Sequence, residues 1–176
     1  EVQIKKDVLQ NIIKRLDRTR NRKAVVPITQ GIYLYFDENQ LVGRAINSNY
    51  SVEVVIPRVQ DETENFTFLE GSSGGAVFMD AKFSSMVNSM PRKNVKIAIH
   101  GSKAVLSAGR SKFELKILDH LEFPKFMDQK EGVSFTIHPD VLKRMYGKTV
   151  YATSSSESRP VLMGVNHQIM DNKWIL

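Results

Sequence analysis

The chain has 176 residues, 41% hydrophobic and 25% charged, which fits a globular protein of one domain and a fraction. It contains no cysteine, which excludes a disulfide framework, a thiolate nucleophile and a zinc–cysteine site, and its formal net charge is +6. No apolar run reaches the roughly 18 residues of a membrane span, and the charged start lacks an apolar signal core, so a cytoplasmic protein with no membrane partner is expected.

The excess charge sits early. Residues 1–23 hold Lys5, Lys6, Lys14, Arg15, Arg18, Arg20, Arg22 and Lys23 against Glu1, Asp7 and Asp17. A short strand over Val2–Ile4 leads to a helix capped by Asp7 and running to about Asp17. Its stripe Val8, Leu9, Ile12, Ile13 and Leu16 recurs at helical spacing and predicts a core-facing side. The other side carries Lys14, Arg15 and Arg18. It reads either as a solvated face or as a surface offering cations to phosphates without reading bases. Thr19–Ala24 is a polar, basic loop that includes Arg22 and Lys23, and Pro27 brings the chain into the next strand.

Ile32–Phe36 and Leu41–Ile46 predict a hairpin across Asp37–Gln40, and Ser51–Ile56 adds a strand closed by Pro57. Tyr33, Tyr35 and Tyr50 read as packing residues rather than base-stacking platforms. Arg58–Asn65 reads as an acidic and polar connection. Gly71-Ser72-Ser73-Gly74-Gly75 matches the G-x-S-x-G pattern of serine hydrolases. However, all four histidines, His100, His120, His138 and His167, lie downstream of Ser73, and Ala76–Met79 reads as strand rather than the helix a nucleophile elbow requires. A flexible loop is the better reading of this segment, with no catalytic residue.

A helix over Ala81–Met90 is followed by strands Val95–His100, Ala104–Ala108 and Lys112–Ile117, separated by Gly101-Ser102 and Gly109-Arg110. Phe113, Leu115 and Ile117 alternate with Lys112, Glu114 and Lys116, which predicts an antiparallel sheet buried on one side only. Beyond Phe126 an early theme returns. Val2–Leu9 aligns with Phe135–Leu142 at an offset of 133 residues, and Val77–Phe83 is a looser copy. Each is a strand, a short step and a helix start, so a second copy of one architecture begins here. Pro139 to about Tyr146 reads as helix, with strands around Arg159–Asn166 and Trp174–Leu176. Residues 131–176 are too few to bury the core of a whole domain, so a fragment is expected. The histidines form no metal-ligand pair, and no phosphate-cradling glycine loop is present, so neither metal nor cofactor is expected.

The ordered string Asp80-Ala81-Lys82-Phe83, Met90-Pro91, two hairpin strands, Ala108-Gly109-Arg110-Ser111-Lys112-Phe113 and Phe123-Pro124 resembles the bacterial sliding clamp family, the beta subunit of DNA polymerase III. The resemblance implies an α+β fold, two helices packed on antiparallel sheets in a repeated domain. Residues 1–130 would be the first such domain and 131–176 the incomplete start of the second. It implies a processivity factor rather than an enzyme: a homodimeric ring, when full length, that encircles double-stranded DNA without regard to sequence. The replicative polymerase and clamp loader would dock through short peptide motifs. By position, Lys14, Arg15, Arg18, Arg22 and Lys23 would face DNA. Arg110, Lys112 and Phe113 would meet the neighbouring subunit, with Lys82 at that interface or facing the duplex. Arg159 and Leu162 would flank a partial peptide cleft. A serine hydrolase using Ser73, or a free-standing basic DNA-binding module, stands as the alternative.

Overall fold

The computed structural model describes residues 1–91, 93–126, 136–170 and 173–176. The chain divides into two compact units, Glu1–Met127 and Asp128–Leu176.

In the first unit, strand β1 (Val2–Lys5) runs directly into helix α1 (Lys6–Thr19). Leu9, Ile12, Ile13 and Leu16 of α1 are buried, as their spacing requires. A 3₁₀ turn (Pro27–Gln30) precedes the meander β2 (Ile32–Phe36), β3 (Gln40–Ile46) and β4 (Ser51–Pro57). The short strands β5 (Val59–Gln60), β6 (Thr63–Glu64) and β7 (Phe66–Phe68) lead to β8 (Gly74–Phe78) and helix α2 (Phe83–Ser89). A second meander, β9 (Asn94–His100), β10 (Lys103–Ala108) and β11 (Ser111–Leu118), closes the unit.

Nine strands join in the order β4-β3-β2-β8-β11-β10-β9-β1-β7, every neighbouring pair antiparallel. β11 is the seam: Ser111–Lys116 pair with β10, whereas only Ile117 and Leu118 pair with β8. Both helices contribute to one apolar core, in which Ile12, Leu16, Phe83 and Val87 lie among Ile32, Leu34, Phe78, Ile97, Leu106 and Leu115. Phe78 and Phe83 stack with centroids 4.4 Å apart and planes 3° from parallel, which fixes α2 against β8.

The structure corrects several expectations. Asp7 lies inside the first turn of α1 rather than capping it, because the chain turns helical at Lys6, and its Oδ1 accepts from the Val8 N–H. Pro27 opens a 3₁₀ turn instead of entering a strand. Helix α2 starts at Phe83 because Asp80 folds back on the chain: its Oδ1 accepts from Lys82 N–H and its carbonyl from Phe83 N–H. Residues 58–65 are not a plain connection, since β5 and β6 form a ribbon turning on Asp61 and Glu62, both at positive φ. The sheet is not one-sided throughout. Ile28, Tyr33, Val42, Val77 and Phe123 form a smaller cluster on the face of β2, β3 and β8 turned away from the helices.

In the second unit, helix α3 (Pro139–Gly147) begins with His138 Nδ1 accepting from Asp140 N–H. The helix starts of α1 and α3 are separated by the same 133-residue offset as the repeated sequence. Most of the strand expected before α3 lies outside the described residues. Short 3₁₀ turns at Val150–Ala152 and Pro160–Met163 precede the hairpin β12 (Gln168–Met170) and β13 (Lys173–Ile175). Arg159–Asn166 is therefore a turn, not a strand; Pro160, which has no N–H for a ladder, sits at its start. No described residue of this unit is buried.

Candidate nucleic-acid interface

Burying Leu9, Ile12, Ile13 and Leu16 turns the opposite side of α1 to solvent, so Lys14, Arg15 and Arg18 are all exposed. Lys14 and Arg18 are about one helical turn apart on that face. Arg22 and Lys23 continue the exposed row into the following loop. Among the described residues, Lys14, Arg18 and Lys23 form no ion pair, and Arg15 Nε donates to Asn11 Oδ1 at 3.0 Å.

Asp17 is the one carboxylate in this row, and it is occupied twice. Arg20 Nε donates to its Oδ1 at 2.6 Å, and Arg22 lies 3.0 Å from its Oδ2. Arg20 itself is buried: Nη1 donates to the Gln30 carbonyl at 3.4 Å, and Nη2 contacts Asp17 Oδ1 at 2.5 Å as an ion pair without hydrogen-bond geometry. Arg20 is thus structural. The i,i+3 spacing of Asp17 and Arg20 was a visible signal for this pair.

Beside α1, helix α2 contributes no charge at all from Phe83 to Ser89. Gln10, Asn11, Lys14, Ser84 and Asn88 line a groove between the two helices, crossed by a 2.8 Å hydrogen bond from Gln10 Nε2 to Asn88 Oδ1. Lys6 ties their ends together, donating to the Asn88 and Met90 carbonyls at 2.9 and 2.6 Å. The surface of the pair is uncharged on α2 and cationic on α1. Exposed Asp7 stands at the start of α1, away from Lys14 and Arg18, so the later part of the helix can attract a polyanion.

The remaining predicted residues fall in separate places. Arg110, Lys112 and Phe113 lie at the β10–β11 turn and the start of β11, where Lys112 faces Ser107 and half-buried Phe113 faces Leu106 across the ladder. Lys82 is the N-cap of α2, beside Phe83, whose stacking partner Phe78 pairs with Ile117 at the far end of β11. In the second unit, Arg159 and Leu162 share one turn, Leu162 N–H donating to the Arg159 carbonyl at 3.0 Å, and Leu162 is half exposed.

Ser73, His100 and His120 line one depression, yet among the described residues the Ser73 hydroxyl makes no hydrogen bond to either histidine. His120 instead faces Asp119 at 3.3 Å and packs on Tyr35 with ring centroids 5.4 Å apart. Gly75 makes room for that ring: a Cβ there would lie 3.1 Å from His120 Cγ and 2.7 Å from the Leu34 carbonyl oxygen. Tyr33 packs against Phe123 at 5.2 Å and beneath the Arg44 guanidinium at 5.3 Å, and burial raises its phenol pKa. These aromatic groups are packing residues. Among the described residues no cluster of three or more histidines and carboxylates could hold a metal, and no helix is long and apolar enough to cross a membrane.

Residues 1–127 match the family described as DNA polymerase III beta subunit, N-terminal domain. The beta sliding clamp of Staphylococcus epidermidis is 30% identical over 176 residues, an alignment covering 99% of this chain and 46% of that relative. The solved DNA polymerase sliding clamp of Bacillus subtilis superposes with a TM-score of 0.89 at 28% identity, covering 96% of this chain and 44% of the other. The Helicobacter pylori beta clamp, solved with a DNA ligase peptide, shares the fold with a TM-score of 0.73 at 18% identity over 90% of this chain and 42% of its own. The chain spans less than half the length of these relatives. Its α+β fold is that of the sliding clamps.

Proposed function

Because the chain belongs to the DNA polymerase III beta subunit family, we propose that it is part of a DNA polymerase processivity factor, a clamp that encircles duplex DNA and tethers the replicative polymerase. One observation carries the reading: α1 buries its apolar side and presents Lys14, Arg15 and Arg18 to solvent, with the neighbouring carboxylate already neutralised by Arg20 and Arg22. Such a surface binds phosphates through counterion release and reads no bases, which suits a protein that slides. Retention on DNA then comes from linkage rather than from tight contact. That mechanism requires no catalytic residue, and among the described residues no histidine is hydrogen-bonded to the Ser73 hydroxyl as a serine hydrolase would have it.

Residues 1–127 act here as the first clamp domain, and the repeated helix start at Pro139 supports residues beyond it as the opening of a second. Arg110, Lys112 and Phe113 belong to a contact with a second subunit. Lys82, at the start of α2, joins that contact or faces the duplex. Arg159 and Leu162, which share one turn, flank part of a cleft for client peptides; the Helicobacter pylori beta clamp was itself solved with a DNA ligase peptide. The clamp loader and the polymerase are the clients proposed, in the cytoplasm. A polypeptide extended to the relatives' full length and loaded on a closed circular plasmid should remain bound at high salt, then leave when the plasmid is cut. Equal loss from circular and cut DNA would refute the ring and favour a free-standing DNA-binding module.

A further inference from the structure

The loop after α1 ends in two adjacent valines, Val25 and Val26, which are 97% and 54% exposed. They closely follow Arg22 and Lys23. The tip is held on both flanks. Asn21 accepts from Lys23 N–H through Oδ1 at 2.9 Å and from Ala24 N–H through its carbonyl at 3.1 Å. Gln30 Nε2 donates to the Ala24 carbonyl at 2.9 Å, and Thr29 donates to the Val26 carbonyl through its N–H at 3.1 Å and its hydroxyl at 2.8 Å. Two apolar side chains are thus presented to solvent in a fixed place, beside the cations that draw a polyanion in.

We propose that Val25 and Val26 form an apolar contact with the deoxyribose walls of a duplex groove, between the phosphates engaged by the α1 face and by Lys23. The inference rests on the reading of α1 as a DNA-facing surface. Charge complementarity selects the partner. In a duplex, the C–H edges of the sugars line the walls of the minor groove between the phosphates and the base edges, an apolar surface that is the same for every sequence. Valine is too short to wedge deeply between base pairs, so the contact leaves the duplex unkinked and allows sliding. Its share of the affinity is indifferent to salt, because no counterion is released where no charge is neutralised.

The test measures binding of the chain to a fluorescein-labelled duplex of random sequence across a salt series, for the wild type, Val25→Ser/Val26→Ser, Val25→Ile and Lys14→Ala/Arg18→Ala. The double serine variant is expected to bind about tenfold more weakly with the wild-type salt slope. Val25→Ile should keep wild-type affinity. Lys14→Ala/Arg18→Ala should flatten the slope by roughly 0.9 for each phosphate no longer engaged. Unchanged duplex affinity in the serine variant, with the slope still reduced in Lys14→Ala/Arg18→Ala, overturns the valine contact and leaves the DNA reading intact. Release of the serine variant from anionic phospholipid vesicles but not from duplex assigns the tip to a membrane surface and also overturns it. If no variant alters duplex binding, both readings fall together. Because Val25 is almost wholly in solvent, its replacement leaves the fold unchanged, which far-ultraviolet circular dichroism checks.

Discussion

Asp17 decides how much of the early charge is available to a partner. It holds Arg20 in the protein and compensates Arg22 at the surface, which leaves Lys14, Arg18 and Lys23 without an ion pair among the described residues. Asp17→Asn removes the charge that offsets a buried guanidinium. The variant should lose about 3 kcal/mol of stability in urea denaturation while its duplex affinity at low salt rises. Tyr33 responds to alkali for a different reason. Burial keeps its phenol protonated above the ordinary value of 10.0, with Arg44 opposing and Tyr35 and Glu53 assisting. Its folded pKa exceeds the unfolded one. The stabilisation is therefore complete below roughly pH 10 and is lost as pH rises through the folded value. Tyr33→Phe should flatten this part of the alkaline unfolding profile, followed by circular dichroism. An identical profile in the variant would show that Tyr33 does not titrate with unfolding.

Helix α1 seats on β3 at Gly43, where an added Cβ would lie 2.6 Å from Ile12 Cδ1 and 2.8 Å from Leu16 Cδ1. Gly43→Ala should destabilise the first unit by about 1–3 kcal/mol, with the helix displaced from the sheet. Wild-type stability would mean that the packing there relaxes freely. Elements whose pattern was carried by side chains were legible in the sequence. The stripe of α1, the alternation of Phe113, Leu115 and Ile117, and the turns at Gly101 and Gly109 all predicted what is observed. Elements set by backbone detail were not. The β5–β6 ribbon turns on Asp61 and Glu62 at φ of 50° and 61°, where glycine or asparagine would have announced it. The 3₁₀ turns at Pro27 and Pro160 looked like strand boundaries because proline marks either. The second cluster under Tyr33 and Val42 was hidden because part of its cover, Phe123 and Phe126, comes from far along the chain.

At the scale of the molecule, the first unit has a continuous core, and the helix start of the second repeats that of the first at a fixed offset. The exposed residues of the candidate interface could be named from the sequence, since amphipathicity dictates which side of α1 faces out. The pairing that silences Asp17 and the fixed valine tip could not, because both depend on where the loop after α1 folds back. The claim on which the rest depends is that the outward side of α1 meets duplex DNA through phosphates. The most direct measurement is the salt dependence of duplex binding by the chain and by Lys14→Ala/Arg15→Ala/Arg18→Ala. The account predicts weak, sequence-blind binding whose salt slope falls by about 2–3 in the triple variant, with folding unchanged. An unaltered slope in a folded triple variant would contradict it.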